Sequence, residues 1–467
     1  MQHLTGADTT FLYTETPTAR LEVATCMVLD GQGQPRGDAL LRKVRSYLVP
    51  RLHLAPLLRR RLVQVPFELD NPVWVEDPDF DVDAHLHRSR LARPGTMAQL
   101  GDAVGEIMAT PLDRSRPLWE LHLIEGLADR KVAIVVKTHH AAVDGVAGFE
   151  LLSAFVDLEP GAEAGAGAHP GPPWRPDPVP GPLALALGAT PRLVTQPLRS
   201  ARALQRSVTA LVRTRLHHQR AGAVVGITTA PASPFNRHVP ASRVVRFCDL
   251  DLEAVKEVKR ASGATVNDVV LAVVGGALRR HLVRLGELPD RPLVAFMPVS
   301  LRDGDVDAAA ANLTSVAYVA LATDEPDPRL RLERIADAAR AAKDEHTSVG
   351  PPALVDLTQL TGTPLGAVTG KLVTTTRLNE RFRFWGNVVV SNIRGVSTPL
   401  YAAGSRVERI FPMGPITDGT ALNITLLSHE DRFGVGVTAA GDALADPDLL
   451  VADLVESLDD LHAAVAP

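Results

Sequence analysis

Between Glu159 and Pro182 the chain runs through a stretch rich in proline, glycine and alanine, the composition of a connector rather than of a packed element. This break divides 467 residues, more than one ordinary core organises, into blocks that must each bury their own apolar surface. The reading is an N-terminal subdomain at 1–158, a connecting region at 159–242 and a C-terminal subdomain at 243–467.

Both outer blocks mix helix and strand periodicities. In the first, Leu21–Leu29, Trp119–Glu125 and the β-rich apolar run Lys131–Thr138 predict strands, and Asp38–Val49, Gln99–Met108 and Val146–Leu158 predict helices. In the second, Leu252–Ser262, Val266–Leu285 and Asp446–Ala463 predict helices, as does a segment ending at Lys343 with Asp327 as N-cap and Pro328 at its first position. Strands are predicted at Leu293–Val299, Ser315–Ala322, Asn387–Ser391, Leu422–Ser428 and Arg432–Ala439. The fold class is α/β (α+β), and the shared content permits two similar subdomains without showing them. With aromatic residues at 4%, aliphatic side chains must fill the cores.

Charge and cysteine usage exclude some classes. A net charge of −5 argues against a whole-protein role on nucleic acid. Cys26 and Cys248 form neither a disulfide framework nor a metal-ligand spacing, and no metal is expected. The opening MQHLTGADTTF carries no signal-peptide pattern, and the longest apolar run, Val269–Leu278, is about half a bilayer span. The expectation is a cytoplasmic protein with at most peripheral contact to the inner membrane face or lipid inclusions. The connecting region is unusual: from Pro178 to Cys248 there are ten arginines and no acidic residue. Within it Leu198–Arg220 predicts a helix with Leu204, Val208, Leu211 and Val212 on one face and arginines on another. Such a helix suits an anionic lipid surface, or it packs as a linker with solvated arginines.

The segment HHAAVDG (139–145) follows the predicted strand Lys131–Thr138 directly. Adjacent residues on an extended chain point to opposite sides, so one histidine can face a cleft while the other packs inward. An imidazole can take a proton from a hydroxyl near neutral pH, which an alcohol needs before it attacks a carbonyl. Asp144 can brace the loop, and Gly145 permits a tight turn into a helix. Spacing alone leaves a catalytic histidine and a structural strand end both open. A metal site is disfavoured, because no third or fourth ligand clusters nearby. A second pair, His217 and His218, lies in the basic stretch with no Asp-Gly after it and reads as solvated or interfacial.

HHxxxDG is the motif of a large acyltransferase superfamily that includes chloramphenicol acetyltransferase, carnitine acyltransferases and peptide-synthetase condensation domains. The flanking segments QHLTGADTTFLYTE (2–15), PLDRSRPLWELHLIEGL (111–127), TVNDVVLAVVGGALRRHL (265–282), FMPVSLR (296–302), VVVSNIRG (388–395) and LNITLLSHEDRFGVGVTAAGD (422–442) resemble, in order, those of the bacterial wax ester synthase/diacylglycerol acyltransferases. The resemblance implies two chloramphenicol-acetyltransferase-like subdomains with a tunnel between them. It implies His140 as general base, His139 and Gly145 as support and Asp144 as a chiefly structural aspartate. Acyl-CoA would be a substrate rather than a cofactor, with diacylglycerol or a long-chain alcohol as acceptor, giving triacylglycerol or wax ester.

The remaining residues follow the same resemblance. Asn267 and Asp268 match an Asn-Asp motif and either cap a helix or shape the site. Pro117-Leu118-Trp119 matches a motif more suited to packing and an acyl tunnel than to chemistry. Ser300 and Arg302 face the cleft or the surface, with Arg302 a partner for a carboxylate or a CoA phosphate. Ser391 and Asn392 match, but Arg394 stands where the family often has proline, and of a Gly-Asn pair only Asn312 carries over. Two other functions fit the sequence: a condensation-like or polyketide-associated transferase using a carrier protein, and a lipid-binding protein without catalysis.

Overall fold

The computed structural model describes residues 2–143, 151, 153–160, 174–189, 205, 230–300, 314–349, 383 and 386–465. The first half contains β1 (Gln2–His3), α1 (Gly6–Tyr13), β2 (Glu22–Leu29), α2 (Asp38–Leu48), β3 (Arg60–Val63), β4 (Val73–Glu76), β5 (Leu86–Arg90), α3 (Met97–Ala109), β6 (Trp119–Glu125) and β7 (Val132–His139). The second contains β8 (Arg243–Asp251), α4 (Leu252–Ser262), α5 (Val266–Leu285), β9 (Val294–Ser300), β10 (Thr314–Ala320) and α6 (Pro328–Val349). It ends with β11 (Val388–Ile393), β12 (Leu400–Ala402), β13 (Ser405–Met413), β14 (Leu422–His429), β15 (Arg432–Ala440) and α7 (Pro447–Val465). The predicted helix Leu198–Arg220, apart from Gln205, and the start of Val146–Leu158 lie outside the described residues.

Local chemistry explains several helix starts. Thr5 with Asp8, Thr96 with Gln99 and Thr265 with Asp268 each close a capping box, which satisfies N–H groups that a helix leaves unpaired. Asp327 caps α6 as its sequence predicts, accepting the Leu330 N–H at 2.9 Å. α5 is apolar on nearly every side, and Val269–Leu278 is buried throughout, which identifies it as a core helix. Among the described residues, no single helix is long and apolar enough to cross a membrane.

Among the described residues the strands form three sheets: β1-β4-β3, β12-β13-β2-β7-β6-β5 and β10-β9-β11-β14-β15-β8. The two six-stranded sheets confirm a mixed α/β fold with two sheet-rich subdomains. They do not divide at residue 243, however, because β12 and β13 come from the second half and join the first sheet, with β13 antiparallel to β2. The sequence hides β13: Arg406, Glu408, Arg409 and Pro412 blur its alternation. Beyond Val407 it pairs with β2 alone, so a proline can occupy its free edge.

Glycines decide how the halves touch. A Cβ on Gly434 would lie 1.9 Å from the Ile410 carbonyl oxygen, and one on Gly436 1.9 Å from that of Pro412. Only hydrogens at these places let β15 cross β13 backbone to backbone. The same device seats α3 on β8, where a Cβ on Gly101 would meet the Val245 oxygen at 2.3 Å and one on Gly105 the Arg243 oxygen at 2.6 Å. Ion pairs at β8 reinforce the junction, Arg409 of β13 to Asp249 at 3.2 Å and Arg246 to Asp102 of α3 at 2.8 Å.

Gly436→Val should therefore destabilise the protein by about 1–3 kcal/mol or more through overpacking. Gly188→Ala, where the added carbon meets nothing within 4 Å, should be neutral or slightly stabilising. Urea unfolding of both variants against the parent checks the contrast.

Candidate active site

β7 is buried along its whole length and delivers the two histidines to its C-terminal end. The turn is pinned from both neighbouring strands. The His139 N–H donates to the Leu118 carbonyl at 3.1 Å and the His140 N–H to that of Leu21 at 2.9 Å. One short helical turn, His140–Ala142, follows.

The two side chains then part, as the alternation requires. His139 is buried, and its Nδ1 accepts the Ala141 N–H at 3.0 Å. That assignment leaves the proton on Nε2, which donates to Glu15 Oε1 at 3.1 Å. Glu15 also accepts the Leu21 N–H at 2.7 Å and pairs closely with Arg114. Burial pushes the Glu15 carboxyl up, but His139, Arg114 and the Leu21 N–H outweigh it and hold it below its ordinary value. His139 is thus fixed in tautomer and orientation by a carboxylate 124 positions away.

His140 sits against an apolar surface. Phe11 of α1 stacks on its ring at a centroid distance of 4.0 Å and 23° between planes. Its Nδ1 is buried with no hydrogen-bond partner, although the residue keeps part of its surface exposed. Burial pushes its pKa down to about 4; its own carbonyl acts against that and His139 adds to it. The ring is therefore neutral at physiological pH, able to accept a proton there.

Beside this turn lies a small, mainly apolar pocket. Ala142 and Val143, directly after His140, form part of its wall with Leu58, Trp74, Leu118 and Trp119. Trp119 is locked in place: its Nε1 donates to the Leu58 carbonyl at 2.8 Å, and His85 stacks on it at 4.5 Å. On the other face of the same sheet, buried Lys137 pairs with Glu22 at 2.7 Å and donates to the carbonyls of Ile107 and Thr110. That pair ties β2 and β7 to the end of α3.

The other predicted residues are distributed as follows. Asp144, Gly145, Arg302 and Asn312 lie outside the described residues, as does the side chain of Ser300. Asp268 is committed to the α5 cap, accepting the Thr265 N–H at 2.9 Å and its hydroxyl at 2.7 Å. Asn267 donates to Met297 Sδ at 3.2 Å. Ser391 and Asn392 lie half-buried on β11, in register with Thr425 and Leu426 of β14. No hydrogen bond, ion pair or ring contact among the described residues joins these four to either histidine. Glu15 and Phe11 have roles at the histidine turn that local sequence does not reveal. Both lie in the N-terminal segment 2–15, whose resemblance was visible but whose roles were not, because their partners are distant in sequence.

The chain matches the model of the wax ester synthase/diacylglycerol acyltransferase catalytic domain over residues 4–270 and that of the WS/DGAT C-terminal domain over 310–462. Two proteins of Mycobacterium tuberculosis H37Rv that carry the provisional name diacylglycerol O-acyltransferase are similar to it. One is 35% identical over 96% of this chain and 87% of its own length, the other 36% over 95% and 93%. Among solved structures, the wax ester synthase/diacylglycerol acyltransferase from Marinobacter aquaeolei VT8 superposes with a TM-score of 0.70, at 26% identity, covering 99% of this chain and 100% of that one. A trichothecene 15-O-acetyltransferase from Fusarium sporotrichioides shares the fold, with a TM-score of 0.59 at 14% identity, covering 100% of this chain and 95% of that one.

The depressed histidine carries a stability signature. A group whose folded pKa lies below its ordinary value contributes stability above the ordinary pKa, here 6.5, and loses it as pH falls toward the folded value of about 4. Glu15 loses its contribution only below the ordinary carboxylate range. Between pH 7 and pH 5 the parent should therefore lose about 2 kcal/mol more stability than His140→Phe. Urea unfolding at the two pH values checks the difference.

Proposed function

The chain belongs to the wax ester synthase/diacylglycerol acyltransferase family and is an acyltransferase, and from that premise we propose that it moves a long-chain acyl group from acyl-CoA to a hydroxyl acceptor with His140 as general base. The acceptor we infer is diacylglycerol, giving triacylglycerol, or a fatty alcohol, giving wax ester. The observation that carries the reading is a neutral, partly exposed histidine two residues before Ala142, which lines a mainly apolar pocket.

With Nδ1 buried, Nε2 is the nitrogen left to meet a substrate. It takes the acceptor hydroxyl proton as the oxygen attacks the thioester carbonyl and the C–O bond forms. The tetrahedral oxyanion collapses, the C–S bond breaks, and the imidazolium returns its proton to the departing CoA thiolate. The products are an ester and CoA, the base is regenerated, and the balance requires neither a cofactor nor a covalent acyl-enzyme. Glu15 acts one step removed: it holds His139, whose Nδ1 holds the Ala141 N–H and so shapes the turn that presents His140. The walls of Leu58, Leu118 and Trp119 suit an acyl chain, which gains from leaving water about as much per methylene as any apolar group.

Substrates of this kind reside at lipid surfaces, and several exposed apolar side chains suit such a surface. Phe67 is 91% exposed, and Leu183 and Leu187 are 72% and 61% exposed. Each lies two positions in sequence from a member of the small apolar cluster of Val65, Val73 and Leu185. The arginine-rich stretch that follows supplies charge for an anionic membrane. Phe67→Ser combined with Leu183→Ser should weaken co-flotation with anionic liposomes several-fold; unchanged flotation shows that these side chains do not hold the protein on lipid.

The principal test supplies purified protein with palmitoyl-CoA and either hexadecanol or diacylglycerol and identifies the ester by mass spectrometry. His140→Ala should lower ester formation by about 10²–10⁴-fold with the fold intact by circular dichroism. Full activity in that variant defeats the assignment, and turnover that demands an acyl carrier protein favours a condensation-like enzyme instead.

A further inference from the structure

A second cluster of potential ligands lies on the opposite side of the sheet from the cleft. β5 and β6 run parallel, and their register sets His87 beside His122. Glu120 precedes His122 by two positions and therefore shares its face, whereas Trp119 points to the cleft. The imidazoles of His87 and His122 stack at 4.7 Å, and His122 Nε2 lies 2.9 Å from Glu120 Oε2. The donor atoms of all three residues lie within 4.8 Å of one another. Solvent reaches them: His87 is on the exposed edge strand, and the side chains of His122 and Glu120 are 17% and 19% exposed.

We propose that His87, Glu120 and His122 form a binding site for a divalent transition metal, Zn²⁺ in the first instance. Two imidazoles and one carboxylate are a borderline donor set, suited to zinc and its neighbours rather than to Mg²⁺ or Ca²⁺, which prefer oxygen. Tetrahedral zinc at about 2.0–2.1 Å from its ligands needs donors roughly 3.3 Å apart. The three side chains reach that by closing about 1.5 Å at most. A fourth position remains for water.

The site is structural in character. It faces away from His140, and its ligands come from the two strands at one margin of the first sheet. β5 is the terminal strand of that sheet, held by β6 on one side only. A metal bridging His87 to His122 and Glu120 staples that edge strand to its neighbour. The sequence gives no warning of it, since His87 and His122 are far apart in the chain and only the parallel register joins them; the absence of a metal predicted from cysteine and histidine spacing is here replaced by a candidate site.

The test uses the full chain stripped with a chelator, then titrated with Zn²⁺ by calorimetry and with Co²⁺ by visible absorption. One equivalent should bind, with a d–d band from Co²⁺ and a rise in melting temperature on adding Zn²⁺. His87→Ala and His122→Ala should each weaken binding at least about tenfold and abolish the melting shift, while His462→Ala, at a separate surface His–Glu pair, should change neither. Both variants are checked for the parent's metal-free melting temperature. If His122→Ala fails to fold, His87→Ala on the exposed strand decides alone. The absence of single-site binding in the parent, or parental affinity in His87→Ala, overturns the proposal.

Discussion

Backbone-to-backbone contact between β13 and β15 is the constraint on which the arrangement depends. β13 is chemically a strand of the second half but pairs with β2 in the first sheet, so the halves are interleaved rather than merely adjacent. That interleaving requires the close crossing at Gly434 and Gly436, and α3 needs Gly101 and Gly105 to lie on β8. β2, clamped between β13 and β7, supplies the Leu21–Glu22 end that holds the histidine turn. The glycines therefore act on the site through the strand that separates them from it.

At the site a division of labour follows from strand alternation. Facing inward, His139 is fixed by Glu15 and by the Ala141 N–H. Facing outward, His140 rests on Phe11 and receives no hydrogen bond at Nδ1. The same N-terminal segment serves both: α1 carries Phe11, and the residues just beyond it carry Glu15. An imidazole pushed down by burial is a weaker base than a free one but is reliably in its base form, which suits chemistry in a water-poor cleft.

Much of this was legible in the sequence, and what was not has a common cause. Trp119–Glu125, Leu252–Ser262 and Val266–Leu285 match their predicted bounds because local periodicity and capping residues define them. β13 escaped because its charges and Pro412 break the alternation, and its strand character comes from β2. The His139–His140 pair was visible as a motif with a family resemblance. Its orienting carboxylate was not: the partner of His139 is Glu15, which only the fold brings near. For Asp268 the capping reading is realised in full, because the Thr265–Asp268 geometry is local. His87, Glu120 and His122 are likewise joined only by register.

In the proposed reaction His140 enters as a neutral base with a pKa held well below that of a free imidazole. The dependence of kcat/KM on pH, which reports ionisations of the free enzyme, tests it most directly, with recovery of activity on return to pH 7 verifying that the protein stays folded. With His140 as the base, the acid limb should fall near pH 4, the value to which burial pushes it. An acid limb at or above about pH 6.5, that of an ordinary exposed histidine, would contradict it.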